Sequence, residues 1–358
     1  MASRGGALAL VALCWLELAL HGAAAPLVPA VYVFGDSMVD VGNNNYIQKC
    51  KVDCRADYPH FGVDYPGHAP TGRFSNGYNL ADQLAQLLGF DESPPPFLSL
   101  PNGSLIPQMS RGVNFASGGA GIRDITGNGP VWTSENRTAA DLVSNSLVFI
   151  SAGSNDLFEY VDHIQVPHNQ NDTEFLRLLV ASYSDYLKDL YGAGAKRFSV
   201  LSPSLVGCCP SQRLIAQKSK DVDQYGCLGA GNNLSRQLYP MLASMLHDLS
   251  LQMPGMNYSL VDSIRMAEFI FNNTHTPAYN FTVLDRACCG SGKFGAEDGC
   301  DFSADLCENR DTYLFWDDYH PSNAATKVAA NGIFGDPGIF VHPINVQQLV
   351  QPRPQQSI

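Results

Sequence analysis

The amino-acid sequence predicts an α/β protein, a three-layer α/β/α sandwich with a mainly parallel sheet. Two observations support this fold class. Short apolar segments typical of buried strands alternate with longer segments of helical period, and no internal repeat interrupts that order. The composition, 45% hydrophobic and 16% charged residues, is that of a globular protein with a sizeable core. We expect one domain, residues 26–346, to contain all of these segments.

The predicted strands are short, and polar or glycine-containing residues follow most of them. In chain order these strands or extended pieces are 31–34, an apolar segment within 111–122, 146–151, 197–201, 257–261 and 313–316. Helices are predicted where apolar residues recur every three or four positions, at 80–88, 172–191, 234–251, a run ending at 271, and 324–330. Ser322 is the expected N-cap of the last helix.

The stretch from Val31 to Asn45, VYVFGDSMVDVGNNN, is the first candidate for chemistry. A four-residue apolar strand ends at Gly35, and Asp36 and Ser37 are the first polar side chains beyond it. Ligands of open α/β sheets bind just past the carboxyl ends of the strands. Ser37 is therefore the candidate nucleophile, and a serine nucleophile requires a base, a group that orients the base, and donors for the oxyanion.

The base and its partner are predicted near the carboxyl terminus. Asp317 and His320 are three residues apart in one predicted turn. At that spacing a carboxylate can hold one imidazole nitrogen while the other nitrogen faces Ser37. A DxxH pair occurs in many chains, so its weight comes from its combination with the serine.

Two further loops offer oxyanion donors. The glycine-rich turn in residues 111–122 has the spacing of neither a dinucleotide-binding nor a P-loop motif, and we interpret it as a turn whose backbone amide can approach a ligand. The loop after the strand at 146–151 contains Asn155, whose side chain is an amide donor.

The termini are predicted to lie outside the domain. Residues 1–25 contain Arg4, an apolar run and small residues, which is the layout of a cleaved signal peptide. A membrane anchor would need about 20 consecutive apolar residues, more than this run supplies. No later stretch is expected to span a membrane. The Gln- and Pro-rich residues 347–358 are expected to be a disordered tail.

Nine cysteines remain once the signal peptide is removed, and in a secreted chain we expect disulfides with one thiol left over. Neither the Cys-Cys pairs nor the histidines have zinc-ligand spacing, so no metal and no cofactor is predicted. Seven Asn-X-Ser/Thr sequons agree with secretion. These glycosylation candidates are Asn102, Asn136, Asn171, Asn233, Asn257, Asn272 and Asn280.

The charge argues against some partners. The formal net charge is -12, from 22 Lys and Arg against 34 Asp and Glu, and no basic cluster is present. Nucleic acid and anionic membrane surfaces are therefore not expected as partners.

Four sequence blocks resemble one known family. FGDSMVDVGNNN, GVNFASGGAG, GSND and FWDDYHPS occur in the order of the diagnostic blocks of the plant GDSL esterase/lipases, of the SGNH hydrolase family. The resemblance covers residues 31 to about 340. It implies a flavodoxin-like α/β/α fold and an ester hydrolase with Ser37 as nucleophile, His320 as general base and acid, and Asp317 as the residue that orients His320.

The same resemblance implies an oxyanion hole. Its donors would be the backbone amide of Ser37, the amide of Gly118 with Gly119 as the alternative register, and the Asn155 side chain. The implied substrate is a small-molecule, lipid or cell-wall polymer ester. The implied location is extracellular, in the cell wall or apoplast if the protein comes from a plant.

Three functions remain open from the sequence. The first is a secreted carboxylic ester hydrolase. The second is an acyltransferase with the same triad, in which a hydroxyl of a growing polymer accepts the acyl group. The third is a non-catalytic secreted binding glycoprotein, which the presence of every triad member disfavours.

Overall fold

The computed structural model describes residues 25–50, 54–101, 109–123, 137–163, 171–273 and 280–351. Its strands in chain order are β1 Val31–Gly35, β2 Gly112–Asn114, β3 Leu147–Ser151, β4 Arg197–Leu201, β5 Asn257–Val261, β6 Val283–Ala287, β7 Tyr313–Phe315 and β8 Val341–Pro343. Six of them form the central sheet in the spatial order β2-β1-β3-β4-β5-β8. The strands β6 and β7 pair separately.

The sheet is parallel except at one edge, where β8 runs antiparallel to β5. The first five strands have the order 2-1-3-4-5, which is that of flavodoxin-like folds. This confirms the predicted fold class.

The helices follow the strands as crossover connections. In chain order they are α1 Leu80–Leu87, α2 Arg137–Asn145, α3 Ser154–His163, α4 Asp172–Gly192, α5 Pro210–Ser219, α6 Gly229–Gln252, α7 Ser263–Asn272, α8 Asn323–Gly335 and α9 Val346–Val350.

The two faces of the sheet bury different sets of side chains. Tyr32, Val148 and Ile150 pack into a core with α3, α4 and α6. Their neighbours Val33 and Phe149 point the other way, into a core with α1, α8 and α9. Because side chains alternate along a strand, each strand joins both helical layers. The result is the three-layer sandwich that the alternation of segments predicted.

Several boundaries differ from the prediction. The helices α2, α3, α5 and α9 and the strands β6 and β8 were not predicted, and α6 begins at Gly229 instead of Leu234. The extended piece at 313–316 does form β7, but it pairs with β6 outside the central sheet. Ser322 caps α8 as expected, because its hydroxyl accepts from the backbone N–H of Ala325 at 3.1 Å.

The carboxyl-terminal prediction needs a correction. The disordered tail was expected to begin at residue 347, yet α9 spans Val346–Val350, and Leu349 and Val350 are buried. Asn345 caps this helix and Gln348 completes the capping box, which a reading of the Gln-rich composition alone overlooks. The remainder of the predicted tail, residues 352–358, lies outside the described residues, as does the predicted signal peptide up to residue 24.

The cysteines pair as Cys50–Cys54, Cys208–Cys227, Cys288–Cys307 and Cys289–Cys300. Cys209 is left as a buried free thiol. The prediction of disulfides with one thiol left over is confirmed. Among the helices of the described residues, none combines the length and apolar character that crossing a bilayer demands.

Candidate active site

The nucleophile loop begins where β1 ends against β3. Gly35 has a φ of 152°, and a Cβ at this position would overlap the carbonyl oxygen of Ser151. Glycine therefore allows the strand end to approach β3 closely enough for the N–H of Asp36 to donate to Ser151 O at 3.0 Å. Ser37 follows directly and lines a cavity at the carboxyl edge of the sheet.

Three predicted side chains meet at this edge. The Oγ atom of Ser37 lies 2.7 Å from Nε2 of His320. The other ring nitrogen, Nδ1 of His320, lies 2.8 Å from Oδ2 and 2.9 Å from Oδ1 of Asp317. The structure thus brings together residues that are 283 positions apart in the chain. A hydroxyl, an imidazole and a carboxylate in this sequence are the arrangement that activates a serine for acyl transfer.

The carboxylate is itself held in place. The side chain of Asp317 is 5% exposed, and its Oδ1 accepts from the backbone N–H of Tyr319 at 2.9 Å and of His320 at 2.6 Å. The turn is closed by a bond from the N–H of Trp316 to the carbonyl of His320 at 2.7 Å. Trp316 is fully buried, so it anchors the turn that carries both groups.

The electrostatics favour a charged imidazole. Burial lowers the pKa of His320, but the charge and hydrogen bond of Asp317 more than offset this, with smaller contributions from Asp318 and Asp36. The net result raises the pKa of His320 above its ordinary value. An imidazolium formed by proton transfer from serine is therefore stabilised where it forms.

Asn155 lies at the start of α3 and lines the same cavity as Ser37. Its Nδ2 donates to the carbonyl of Ala120 at 2.8 Å. A side-chain amide carries two N–H groups, so one orients the side chain against the glycine-rich loop and the other remains for a ligand. The neighbouring Asp156 fixes the same loop, because it accepts from the N–H of Ile122 and of Arg123.

The two candidate glycines differ in what their amides do. The N–H of Gly118 donates to Oδ2 of Asp40 at 3.0 Å. The N–H groups of Gly119 and Ser37 have no acceptor among the described residues. Gly119 and Ser37 both line the cavity, and Gly119 has a φ of 81°. A free amide at a cavity wall is available to an oxyanion, whereas the amide of Gly118 is already bonded.

A buried polar network joins the nucleophile loop to the glycine-rich loop, and the sequence reasoning missed it. Asp40, fully buried, accepts from the N–H groups of Gly42 and Asn43 at 2.7 Å each, besides Gly118. Nδ2 of Asn43 donates to the carbonyl of Ala116 at 2.7 Å. The sequence did contain a sign of this network. The run GDSMVDVGNNN contains Asp and Asn residues, whose short polar side chains readily form hydrogen bonds to nearby backbone groups.

Two carboxyls near the side chains of His320 and Asp317, the buried Asp36 and the half-buried Asp318, were given no catalytic role from the sequence. Burial raises the pKa of Asp36 to about 7, although the N–H of Met38 and the charge of His320 oppose it. Oδ2 of Asp36 has no hydrogen-bond partner among the residues that the structure describes. Burial and repulsion from Asp317 likewise raise the pKa of Asp318. When ionised, both groups add negative potential around His320 and so raise its pKa.

One group of side chains in the described residues has metal-ligand proximity. His60, Cys289 and Cys300 have their ligand atoms within 4.8 Å of one another. Both cysteines are joined in a disulfide, so their sulfurs are not thiolates and cannot serve as ligands.

The cavity beside Ser37 has a volume of about 430 Å³, within the usual range for small-molecule sites. Polar groups lie near Ser37 and His320, and most of the remaining wall is apolar. The site can therefore take an ester whose carbonyl sits at the polar end.

Comparisons with known proteins identify the family of the chain. The family model GDSL-like Lipase/Acylhydrolase matches residues 31–333. GDSL esterase/lipase At5g55050 of Arabidopsis thaliana is 36% identical over 90% of each chain, and GDSL esterase/lipase At1g29660 is 33% identical over 94% of this chain and 95% of its own. GDSL esterase/lipase 7 of the same species is 31% identical over 96% and 98%. The chain belongs to the GDSL lipase/acylhydrolase family and is a hydrolase that acts on ester bonds.

Proposed function

We propose that the chain is a secreted serine esterase that hydrolyses carboxylic esters through an acyl-enzyme on Ser37. The observation that carries the proposal is the continuous contact from Ser37 Oγ through the His320 ring to Asp317, at 2.7 and 2.8 Å. Ester hydrolysis is the activity of the family, and this proposal assigns its chemistry to named atoms.

In the first half-reaction, Oγ of Ser37 attacks the ester carbonyl while Nε2 of His320 takes the serine proton. The tetrahedral intermediate collapses when His320 gives that proton to the leaving alcohol, and the acyl group stays on Ser37. In the second half, water loses a proton to His320 and attacks the acyl carbonyl. The carboxylic acid leaves and the proton returns to Ser37. Asp317 holds the imidazole in the tautomer that accepts at Nε2.

The oxyanion of both intermediates needs fixed donors. We assign them to the N–H of Ser37, the second N–H of Asn155 Nδ2, and the N–H of Gly119. Gly119 takes the place first given to Gly118, because the Gly118 amide donates to Asp40 at 3.0 Å. Each preorganised donor of this kind contributes ~3 kcal/mol to lowering the barrier.

Secretion and glycosylation form part of the proposal. Four disulfides support an oxidising compartment. Of the sequons, Asn171, Asn233, Asn272 and Asn280 are exposed, and Asn257 is half-buried. Asn102 and Asn136 lie outside the described residues. Expression in a eukaryotic secretory host should deliver the protein to the medium with N-glycans that an endoglycosidase removes, and an unglycosylated product retained in the cells would contradict this part.

The catalytic assignment is tested by labelling with an alkyl fluorophosphonate and mapping the modified peptide by mass spectrometry. Ser37 should be modified with loss of activity, and Ser37→Ala should be neither labelled nor active. Ser154→Ala is the matched control, because Ser154 lines the same cavity, whereas among the described residues it is Ser37 whose hydroxyl is hydrogen-bonded to His320. Labelling that persists in Ser37→Ala, or moves to Ser154, would overturn the assignment.

A further inference from the structure

The ring of Phe74 lies against the imidazole of His320. Their centroids are 5.0 Å apart, and the two ring planes are inclined by 36°. Phe74 is half-buried and lines the same cavity as Ser37. A packed ring restricts the rotation of its neighbour, and an aromatic face within about 6 Å attracts a cation. The contact can therefore affect both the orientation and the charge of His320.

Other neighbours confine the ring of Phe74. A Cβ added at Gly118 would lie 2.7 Å from Cε2 and from Cζ of Phe74, well inside van der Waals contact. The φ of Gly118 lies outside the left-handed region, so lack of space, not backbone conformation, explains glycine at this position. The buried Phe61 meets Phe74 edge-on, at 6.1 Å between centroids. The ring of Phe74 therefore has little room to move away from His320.

A buried ion pair fixes the backbone from which this ring extends. Nε and Nη2 of Arg73 donate to the two carboxylate oxygens of Asp82 at 2.7 and 2.8 Å, and both residues are buried. Asp82 also completes the capping box of α1 with Asn79. A bidentate pair of this kind is strong and directional. Because Arg73 directly precedes Phe74, the pair restricts the position of the Phe74 backbone.

The segment 73–79 is bonded to both parts of the candidate site. Nδ2 of Asn79 donates to the carbonyl of Asp40 at 2.8 Å, in the nucleophile loop. Oδ1 of Asn76 accepts from the N–H of Asn323 at 2.8 Å, at the first residue of α8. The helix α8 follows the turn that carries the aspartate–histidine pair. The segment thus connects the loop of the nucleophile with the region of the base.

We propose that Phe74 is a positioning residue for His320. The segment 73–79 holds the Phe74 ring against the imidazole, so that Nε2 stays directed at Ser37 and Nδ1 at Asp317. This inference rests on the proposed function, because it assumes that His320 is the general base. It adds a residue that makes no hydrogen bond to the base and acts by packing alone.

The same ring should favour the charged form of His320, because the negative face of an aromatic ring attracts an imidazolium. The titratable groups that face His320 are the carboxyls of Asp317, Asp318 and Asp36 and the phenol of Tyr319. Replacing Phe74 with leucine leaves all of them in place. Leucine also keeps an apolar cover over the imidazole and removes only the aromatic face. The pKa of His320 should therefore fall in this variant.

Two phenylalanine-to-leucine variants test this role. Phe74→Leu removes the ring that contacts His320, and Phe61→Leu is the matched control. Phe61 belongs to the same apolar cluster as Phe74, and its ring contacts Tyr58 and Phe74. Each variant loses one packed ring, so both should lower Tm. A merely structural role of Phe74 predicts no difference between them beyond this.

We expect two changes in Phe74→Leu that Phe61→Leu does not show. At a pH well above the acid limb, labelling of Ser37 by the fluorophosphonate and kcat for p-nitrophenyl acetate should both slow about tenfold, because the base is less well oriented. The acid limb of kcat/KM should move down by roughly half a pH unit, because the pKa of His320 falls when the cation–π contact is lost. A lost contact with the substrate would lower rates without moving this limb.

Equal labelling rates and equal acid limbs in the two leucine variants would overturn the inference. Phe74→Met has a similar volume and no ring, so it serves, with the same expected changes, if Phe74→Leu fails to fold. If the wild type is labelled at Ser37 and the Phe74 variants behave like Phe61→Leu, only the role of Phe74 is wrong. If the wild type is not labelled at Ser37, the proposed function is wrong as well.

Discussion

Replacing Asn155 with alanine separates a catalytic role from a structural one. The side chain of Asn155 is half-buried, and among the described residues it makes one hydrogen bond, from Nδ2 to Ala120 O at 2.8 Å. Loss of one such bond costs ~1 kcal/mol of unfolding free energy. For a domain of this size that corresponds to a fall in Tm of roughly 2 °C. Loss of an oxyanion donor instead lowers kcat by roughly 10²–10³-fold, which is ~3–4 kcal/mol.

The two effects are measured on the same preparation. Active sites are titrated with the fluorophosphonate, kcat and KM are determined on a p-nitrophenyl ester, and Tm is recorded by calorimetry. We expect Asn155→Ala to lower kcat at least 100-fold with little change in KM, since the donor acts on charge that develops in the transition state. Ser154→Ala should retain normal kcat. A folded Asn155→Ala enzyme with unchanged kcat would refute the role of Asn155 as an oxyanion donor. It would also count against Gly119, which is assigned as a donor to the same oxyanion.

Four further predictions concern titratable groups. Asp317→Asn should lower kcat by about 10³–10⁴-fold, because Asp317 orients the imidazole, and Asp318→Asn by less than tenfold; similar losses would contradict the assignment. Because the pKa of His320 is raised and the base must be neutral, the acid limb of kcat/KM should lie above pH 6.5 and shift downward in Asp318→Asn. The pKa of Asp36 is raised to about 7, so the folded state binds its proton more tightly than the unfolded chain does; Tm should fall from pH 5 to pH 8, and less so in Asp36→Asn. Burial raises the pKa of Cys209 to about 12, so this thiol should react with a maleimide only after denaturation, and rapid labelling of the native protein would argue against its burial.

The central sheet was predictable because its strands are buried on both faces. Two of these strands contain continuous apolar runs, at 31–34 and 147–150, and glycine or polar residues follow them. The edge strand β8 has three residues, two of them exposed, so it lacks an apolar run. The helix α5 also lacks a clear apolar periodicity. It begins with Pro210, and its buried residues include few apolar ones. Tertiary contacts, not local periodicity, determine these elements.

In the candidate site too, some residues could be identified from the sequence and others could not. Ser37, Asn155 and the aspartate–histidine pair were identifiable because each group follows a strand end and has a chemical type that acyl transfer requires. The choice between Gly118 and Gly119 was not identifiable. It depends on the carboxylate of Asp40, which accepts the Gly118 amide across 78 residues of sequence. A hydrogen bond between two loops has no local signature, so only the folded structure reveals which amide remains free.

The position of the turn that carries Asp317 and His320 depends on a part of the chain that is outside the central sheet. Asp317 and His320 follow β7, whose partner β6 leads into the loop held by the disulfides Cys288–Cys307 and Cys289–Cys300. The backbone N–H of Cys289 donates to the carbonyl of Trp316 at 2.7 Å, and that of Cys288 to Phe315 at 3.1 Å. The residues directly before Asp317 are thus bonded to the disulfide-linked segment. These crosslinks restrict the conformations available to this region. The same bridges that stabilise an irregular loop therefore also help to keep His320 within hydrogen-bonding distance of Ser37, which lies just beyond the first strand.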